Sequence, residues 1–391
     1  MATLSIQIRT LTPLWTGGVD GTMDRIHETG ILGSLRWWYE AIVRGLGGSA
    51  CDPTGDDRCP DRDGRYCDVC AVFGATGRQR AFRLEGPEWW NDAMENRLTV
   101  KVKNNRGWYL GRGYLGDGAF RIVPLRTPQG LAWEDVQQTL VLTMRLIECW
   151  GGLGPKTQVG YGVVRFELDA ATTIAAFENL KQRNNRRTVS PSSKWPALDG
   201  FFFAKVRFKI NANITPKQWI QARVSQIDPN EELDWYLSKA SNTQREAILP
   251  LAPIVRYYLR GLMYPNRPPT SSGYPEPVRH RLMGELGKKS LIHISHAYPV
   301  DNGQWEFRIW GWIPEELPNN PEGLPNNMGR ADVFNDLRQW LGVQQQRQWH
   351  PPQNGALWSD LNLTPTQVCW FERQDNESVA DYLQALLNGC K

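Results

Sequence analysis

The chain has 391 residues, of which 41% are hydrophobic and 22% charged, and its formal net charge is +4. This length predicts two or three domains, and we start from two. The absence of any run of about 18 apolar residues argues against a membrane protein. Residues 1–9 alternate apolar and polar side chains and lack the regions of a signal peptide, so we expect a cytoplasmic protein. A charge of +4 alone neither establishes nor excludes a polyanionic partner.

The first half of the chain predicts the element order β-α-β-β-α-β from its apolar periodicity. The predicted elements are strand 3–11, helix 33–46, strands 79–84 and 97–103, helix 133–150 and strand 161–168. The first helix depends on five large side chains that fall on one helical face: Leu35, Trp38, Tyr39, Ile42 and Leu46.

The second half repeats this order after a polar segment, 179–196, that has no apolar period. The predicted elements are strand 201–210, helix 247–262, strands 290–298 and 304–312, helix 331–341, strand 367–371 and a final helix 378–387. We therefore predict an α+β protein with two tandem ferredoxin-like (RRM-like) βαββαβ domains, 1–170 and 200–391, joined by a linker or mobile loop over 171–199. The open sheet face of such a domain commonly binds RNA.

A polar insertion in the first predicted domain, at about residues 49–72, contains four cysteines: Cys51, Cys59, Cys67 and Cys70. Four thiolates within 20 residues suit a tetrahedral structural zinc ion, which would fold a segment too polar to form its own core. Only the last pair has the two-residue spacing usual in zinc knuckles. Unpaired surface thiols and a redox pair therefore stay open as alternatives to zinc.

Residues 151–162, with the sequence GGLGPKTQVGYG, form a glycine-rich segment between the second predicted helix and the last strand. Glycines permit positive φ and close approach, so successive N–H groups could form a concavity for an anion. Lys156 adds a charge there, and Thr157 adds a neutral donor. The spacing and the helix-to-strand order differ from a Walker A loop, which disfavours a nucleoside triphosphatase. The alternative is a flexible connection without a ligand.

This glycine-rich segment, placed before the last strand of a ferredoxin-like domain, resembles the signature of the RAMP superfamily of CRISPR proteins. Residues 12–18 (TPLWTGG), 31–39 (ILGSLRWWY) and 80–83 (RAFR) look like the family of first subunits of the type III-B Cmr complex. The resemblance implies a non-catalytic, RNA-binding subunit of an antiviral ribonucleoprotein. Such a subunit would lie near the crRNA 3′ end and contact crRNA, target single-stranded RNA and other Cmr subunits.

Candidate RNA-binding residues follow from the resemblance and from clustered cations. Arg36 is predicted in the first turn of its helix, where a phosphate is favoured, and Trp37 is placed to stack on a base. In the alternative, Arg36 pairs with Glu40 and Trp37 packs under a loop. The full set is Arg36, Trp37, Arg78, Arg80, Arg83, Lys101, Lys156, Thr157, Tyr161, Arg256, Lys288 and Lys289.

An enzymatic alternative depends on the loop before the first helix. Metal-independent RNA cleavage needs a proton carrier near the scissile 2′-OH. His27 and Asp24 lie in this loop, and related CRISPR proteins of the same superfamily use a loop His or Asp to cut RNA. A metal-independent endoribonuclease is therefore the second hypothesis, beside a binding subunit without catalytic residues.

Overall fold

The computed structural model describes residues 2–52, 55–56, 58–89, 98–103, 106–111, 113–128, 130–168, 170–184, 195–225, 247–262, 276–284, 289–317, 329–343 and 356–389. The helices are α1 (Glu28–Gly45), α2 (Asp68–Phe73), α3 (Trp133–Trp150), α4 (Ala170–Asn184), α5 (Pro216–Gln221), α6 (Ala252–Leu262), α7 (Glu276–Met283), α8 (Arg330–Leu341), α9 (Ala356–Asp360) and α10 (Val379–Asn388).

The strands are β1 (Leu4–Thr10), β2 (Phe82–Trp89), β3 (Leu98–Lys103), β4 (Arg106–Leu110), β5 (Asp117–Pro124), β6 (Val164–Phe166), β7 (Phe201–Ile210), β8 (Val224–Ser225), β9 (Ile292–Ile294), β10 (Tyr298–Val300), β11 (Gln304–Trp312) and β12 (Leu363–Glu372). Within these residues, no helix is long and apolar enough to cross a membrane.

The first sheet is antiparallel and has the strand order β2-β5-β1-β6. Ile6 and Ile8 of β1 alternate with polar residues and are buried with Phe120 of β5. The same hydrophobic core contains the apolar faces of α1 and α3. The opposite face of this sheet carries the polar residues of the alternation.

In chain order, the third strand of this sheet is β5. The prediction that residues 97–103 would form that strand is wrong. That segment does form a strand, β3, but it belongs to a separate sheet of order β4-β3-β8. Val100 of β3 is buried in the core of the second half of the chain, beside α6. The alternation of Gly118, Phe120 and Ile122 was the sequence signal for β5, but short, glycine-containing runs predict strands weakly.

The second sheet has the order β10-β11-β7-β12, with β9 also paired to β11. When β9 and β10, which both pair with β11, are counted as one interrupted second strand, both sheets have the order second-third-first-fourth. Phe201, Phe202 and Phe203 are all fully buried, because this sheet is covered on both faces. Phe202 points into the core of the second half, while Phe201 and Phe203 pack with Trp38 and Trp150 in the core of the first. A continuous apolar run is expected for a strand buried on both sides.

Helix α1 begins at Glu28, five residues before the predicted start. Gly30 and Gly33 made this turn resemble a loop in sequence. Gly30 instead allows a close approach, because a Cβ there would lie 2.6 Å from Cγ2 of Thr16. Arg36 consequently lies mid-helix, and the prediction that it occupies the first turn is wrong.

Helix α4 occupies much of the segment predicted as a linker, 171–199, and it packs against α3. Residues 185–194 lie outside the described part of the chain, and 3₁₀ turn Leu198–Gly200 leads into β7. Phe177 and Leu180 are the buried contacts of α4 with the first core. The apolar positions of this helix are sparse, so its helical period is weak in sequence.

We predict that Gly162→Ala destabilises the fold far more than Gly130→Ala. Both glycines have positive φ, +84° and +77°, so alanine costs about 1 to 2 kcal/mol at either site. A Cβ at Gly162 would also overlap the carbonyl oxygen of Leu153, whereas nothing lies within 4 Å at Gly130. Urea unfolding should therefore show a loss at Gly162 that exceeds the loss at Gly130 by about 1 kcal/mol or more. Equal losses would contradict the close approach.

Candidate functional site

The glycine-rich segment 151–162 joins the two halves of the structure. The backbone carbonyl of Gln158 accepts a hydrogen bond from Nη1 of Arg256 at 3.1 Å, and its side-chain oxygen accepts one from the Ser290 amide at 3.2 Å. The His296 amide donates to the Gly160 carbonyl at 3.0 Å. At Gly160, with φ of +110°, a Cβ would lie 2.5 Å from the His296 ring. Glycine is therefore required here for contact between the halves.

Backbone amides of this segment donate mainly to protein oxygens. Leu153 donates to the Gly162 carbonyl at 2.7 Å, Gly162 to Pro13 at 2.8 Å, and Gly154 to the Ser34 hydroxyl at 3.1 Å. These amides are not available to an anion. The predicted anion-binding concavity is therefore replaced, at these positions, by a rigid joint.

Three candidate RNA-binding residues lie inside this joint. The Thr157 hydroxyl is 2.8 Å from Nδ1 of His293, and the Tyr161 hydroxyl donates to the Gly111 carbonyl at 2.5 Å. Arg256 donates to the carbonyls of Gln158 and Met283. All three residues are less than 8% exposed. The structure assigns them to the contact between the halves rather than to an exposed surface, because tertiary packing covers them.

Arg36 is held by three protein acceptors. Its Nε donates to the Glu40 carboxylate at 2.9 Å, and its Nη atoms donate to the Gly74 carbonyl at 3.1 Å and to Sγ of Cys70 at 3.3 Å. The pairing with Glu40 is the alternative that the sequence left open. Arg36 thus connects α1 to the cysteine-rich insertion.

Trp37 is half-buried in an aromatic cluster. Its ring lies 4.9 Å from that of Trp38 and 5.5 Å from that of Phe201, both in edge-to-face geometry. This corresponds to the packing alternative, although it leaves one part of the ring accessible. Stacking of Trp37 on a base stays a prediction.

The remaining candidate cations lie on separate surfaces. Arg78 is stacked 4.7 Å from the ring centroid of Tyr66, and Arg80 is exposed nearby. Lys101 is exposed on β3, in the separate small sheet, and Lys289 is exposed before β9. Lys288 lies outside the described residues.

Lys156 is the half-buried cation of the glycine-rich segment. Its ammonium lies 4.0 Å from the ring centroid of Trp15, an attractive cation–π geometry. Burial lowers the pKa of Lys156. A ligand at this position would have to meet an ammonium that already has an aromatic partner.

The open face of the first sheet carries four arginines, three of which sequence reasoning missed. Arg83 of β2 was predicted, and Arg9 of β1, Arg121 of β5 and Arg165 of β6 share its face by strand alternation and register. Arg83 and Arg121 are exposed and share the carboxylate of Glu85. We call these four arginines the sheet-face arginines. Their period-two spacing was visible in sequence, but β5 had to be recognised first.

The four sheet-face arginines exceed the three described carboxylates of this face, which are Glu85, Asp117 and Glu167, the last opposite Gln7 of β1. Glu85 pairs with two of them, and Asp117 accepts from Nε of Arg9 at 2.7 Å. Arg165 is exposed and lies directly opposite Arg9 in the register. This face therefore presents surplus positive charge on a rigid sheet, as required for contacts with a phosphate backbone.

His27 and Asp24 form a close pair in the loop before α1. Nε2 of His27 lies 2.6 Å from a carboxylate oxygen of Asp24, and its amide donates to the Thr16 hydroxyl at 2.7 Å. The hydrogen bond from His27 lowers the pKa of Asp24. The pair is accessible, with 66% of the Asp24 side chain exposed. Its geometry is compatible with proton transfer.

The four cysteines of the insertion converge. Their sulfur atoms all lie within 4.8 Å of one another, and those of Cys51 and Cys70 are 3.5 Å apart. Tetrahedral metal–sulfur bonds of about 2.3 Å place sulfur atoms about 3.8 Å apart. The cluster can therefore hold a metal ion.

Hydrogen bonds to sulfur prepare this cluster for negative charge. The Cys70 amide donates to Sγ of Cys67, which caps α2, and the Cys67 amide donates to Sγ of Cys59. Hydrogen bonding from Cys70 lowers the pKa of Cys67 to about 5, while burial raises the pKa of Cys59 to about 11. The thiols therefore cannot all ionise by themselves, and a cation among them would favour the four-thiolate form.

Comparison with known proteins identifies the class of the first half. The family model described as RAMP superfamily matches residues 7–165, less than half of the chain. The match confirms the resemblance seen in the sequence. A search of curated proteins by sequence found no match.

Solved structures that are similar to the chain include a Cmr1 crystal structure and two structures of the type III-B Cmr-beta. The apo crystal structure of Cmr1 from Pyrococcus furiosus shows 13% identity and a TM-score of 0.39, over 93% of this chain and 98% of that one. A chain in the cryo-EM structure of the type III-B Cmr-beta bound to cognate target RNA shows 10% identity and a TM-score of 0.31, over 79% and 94%. A chain in the complex with cognate target RNA and AMPPnP, state 2, in the presence of ssDNA shows 9% and 0.32, over 99% and 98%.

The two buried histidines at the joint make stability depend on pH. Burial lowers the pKa of His293 and of His296 to about 3, so both stay neutral in the folded protein while the unfolded chain protonates near pH 6.5. The unfolded state then binds more protons between these values, and stability falls as the pH drops below about 6.5. We expect a loss of up to about 1.4 kcal/mol per pH unit for each histidine.

Urea unfolding between pH 7 and 5 measures this dependence. His293→Gln/His296→Gln should show a shallower pH slope than the wild type. His280→Gln, in a half-buried histidine on α7, should retain the wild-type slope. An unchanged slope in the double variant would contradict the neutral state of the buried pair.

Proposed function

We propose that this chain is an RNA-binding subunit of a type III-B CRISPR (Cmr) effector complex, without catalytic residues of its own. In this proposal it lies near the crRNA 3′ end, contacts crRNA or target RNA together with other Cmr subunits, and acts in antiviral defence. The RAMP match over 7–165 supports the superfamily, and the Cmr-like motifs at 12–18 and 31–39 support the subunit type.

The observation that carries the proposal is the set of sheet-face arginines. The shared strand order of the two sheets supports two tandem ferredoxin-like domains, in which the open sheet face is a common RNA-binding surface. Among the described residues, the first sheet leaves this face accessible, whereas the corresponding face of the second sheet is covered by α3. We therefore place the principal RNA contacts on the first sheet.

RNA binding should depend on Arg83 and Arg121. The double variant Arg83→Gln/Arg121→Gln removes two phosphate contacts, so the slope of log affinity against log salt should decrease in magnitude by about 1.4 for single-stranded RNA. Fluorescence anisotropy of a labelled RNA, measured across a salt series, gives this slope. The matched control is Arg62→Gln/Lys209→Gln, which removes the same charge from exposed residues elsewhere.

Equal slopes in the wild type and the Arg83/Arg121 variant would refute the sheet-face assignment. The close contact of His27 with Asp24 favours a second candidate function, a metal-independent endoribonuclease. Shortening of the labelled RNA by the wild type but not by His27→Ala, in the presence of a chelator, would favour that function over binding alone.

The cysteine cluster is proposed as a structural zinc site. Four thiolate ligands without a neutral donor favour zinc and leave no open coordination position. Cys51, Cys59, Cys67 and Cys70 would hold the ion, and its binding would stabilise an insertion that is otherwise polar. The donation from Arg36 to Cys70 would orient one ligand and offset the negative charge of the site.

Protein purified without added metal should contain about one zinc ion per chain. Cys67→Ser should lower the zinc content and the melting temperature together, because it removes a thiolate ligand while the serine hydroxyl can still cap α2. The control is Cys369→Ser, in a half-buried cysteine on β12 outside the cluster. Elemental analysis of both variants makes the comparison, and a zinc content near zero in the wild type would refute the site.

A further inference from the structure

A polar cavity of about 400 Å³ lies between α3 and the second sheet, with β6 at its rim. Its charged lining includes Arg145 of α3, Arg165 of β6, Lys205 and Arg207 of β7, and Glu306 and Arg308 of β11. A volume of this size falls within the range of small-molecule sites. None of the candidate residues from the sequence lines it.

The carboxylate of Glu306 is already engaged on both oxygens. One oxygen accepts from Nε of Arg207 at 2.9 Å, and the other accepts from the Tyr298 hydroxyl at 2.6 Å. Arg145 at the cavity wall is likewise paired, at 2.6 Å, with Glu148 of its own helix. The lining also contains Asp301, so five cations face three carboxylates. Glu306 interacts electrostatically with both Lys205 and Arg308, but its oxygens are already hydrogen-bonded to other groups, and the lining keeps a net positive charge.

The hydrogen bonds of Arg308 all go to neutral acceptors, although its charge also interacts with that of Glu306. Its Nε donates to the Tyr298 hydroxyl at 2.8 Å, and its Nη1 donates to the carbonyls of Ile147 and Gly151 at the end of α3. Carbonyls at a helix C-terminus favour a nearby cation, which holds the guanidinium in place. These contacts fix its position without neutralising it.

Lys205 is 7% exposed and lines the cavity. Within the described part of the chain, its ammonium makes neither a hydrogen bond nor an ion pair, and it lies 4.3 Å from the ring centroid of Trp150. Burial lowers the pKa of Lys205 to about 8, so the side chain is still mainly protonated at pH 7. The charge of Glu306 partly offsets that of Lys205. The ammonium still lacks a hydrogen-bond acceptor, which is costly for a buried cation, and a bound anion would supply one.

We propose that this cavity binds the phosphate group of a nucleotide, with Lys205 and Arg308 as its principal ligands and Arg165 at the entrance. An ammonium and a guanidinium around one point suit a compact polyanionic group better than an apolar ligand. Free nucleotides and the terminal phosphate of an RNA strand share this chemistry. The inference goes beyond the proposed function, because Lys205 and Arg308 lie outside the sheet-face arginines. Arg165 belongs to both sites, at the edge of the first sheet that borders the cavity, whereas Arg83 lies on the strand at the opposite edge.

Isothermal titration at fixed ionic strength tests the site with three probes: inorganic phosphate, AMP, and a short oligoribonucleotide with a 3′-phosphate, compared with the same strand ending in a hydroxyl. The wild type should bind at least one phosphate-bearing probe. Lys205→Met should weaken that binding at least about tenfold, the loss expected for one charge-assisted hydrogen bond. Lys209→Met, the same substitution at an exposed position of β7, should leave it unchanged.

Two further measurements separate loss of the site from loss of the fold. Without phosphate, Lys205→Met should stay folded, because methionine fills a similar buried volume while Arg207 and Arg308 still balance the charge of Glu306. Arg165→Gln, at an exposed rim position, should weaken phosphate binding while the protein stays folded. Binding of inorganic phosphate and AMP but not of the oligoribonucleotide would indicate a free nucleotide as the ligand. Tighter binding of the 3′-phosphorylated strand than of the same strand ending in a hydroxyl would indicate an RNA end. Either result supports the proposal.

The proposal is overturned if none of the three probes binds the wild type, or if both Lys205→Met and Arg165→Gln bind them as tightly as the wild type does. The Arg83→Gln/Arg121→Gln variant distinguishes the two proposals. Retained phosphate affinity with an unchanged RNA salt slope in that variant would refute the sheet-face assignment and leave the cavity site standing.

Discussion

Both faces of the second sheet are covered by protein, and the rest of the structure depends on this burial. One face packs on the helices of its own half, and the other packs on α1 and α3 of the first half. Trp38 and Trp150 lie against Phe203 in this contact. Burial of large aromatic side chains supplies much of the energy that holds the halves together. Two units with one strand order are thus packed asymmetrically, sheet against helices.

This asymmetry decides which surfaces can meet a ligand. The first sheet keeps an accessible face with surplus arginines, whereas the corresponding face of the second sheet is enclosed. Lys205 and Arg308 are charged residues of the second sheet that face α3. At these positions the two elements are separated by a polar cavity instead of a packed apolar core. The apolar end of the interface provides cohesion, and the charged end leaves space for an anion.

The glycine-rich segment and Arg36 acquire structural roles in this arrangement. The segment passes between the halves, so its glycines permit close contact with His296 and its own neighbours rather than with a ligand. Arg36 connects the core of α1 to the cysteine cluster through Glu40 and Cys70. The residues that match the family model, 7–165, therefore include several whose role in this structure is to hold the domain together.

The sequence by itself determined the local elements, because apolar periodicity depends on the face that each strand or helix buries. Helix α3, the β7 and β11 strands and the grouping of the four cysteines are examples. Only the tertiary structure decided which cations are accessible. Tyr161 and Arg256 looked like surface residues in sequence, and they are buried because segments more than 90 residues apart pack over them. Such long-range burial leaves no local period, so no pattern of spacing could have revealed it.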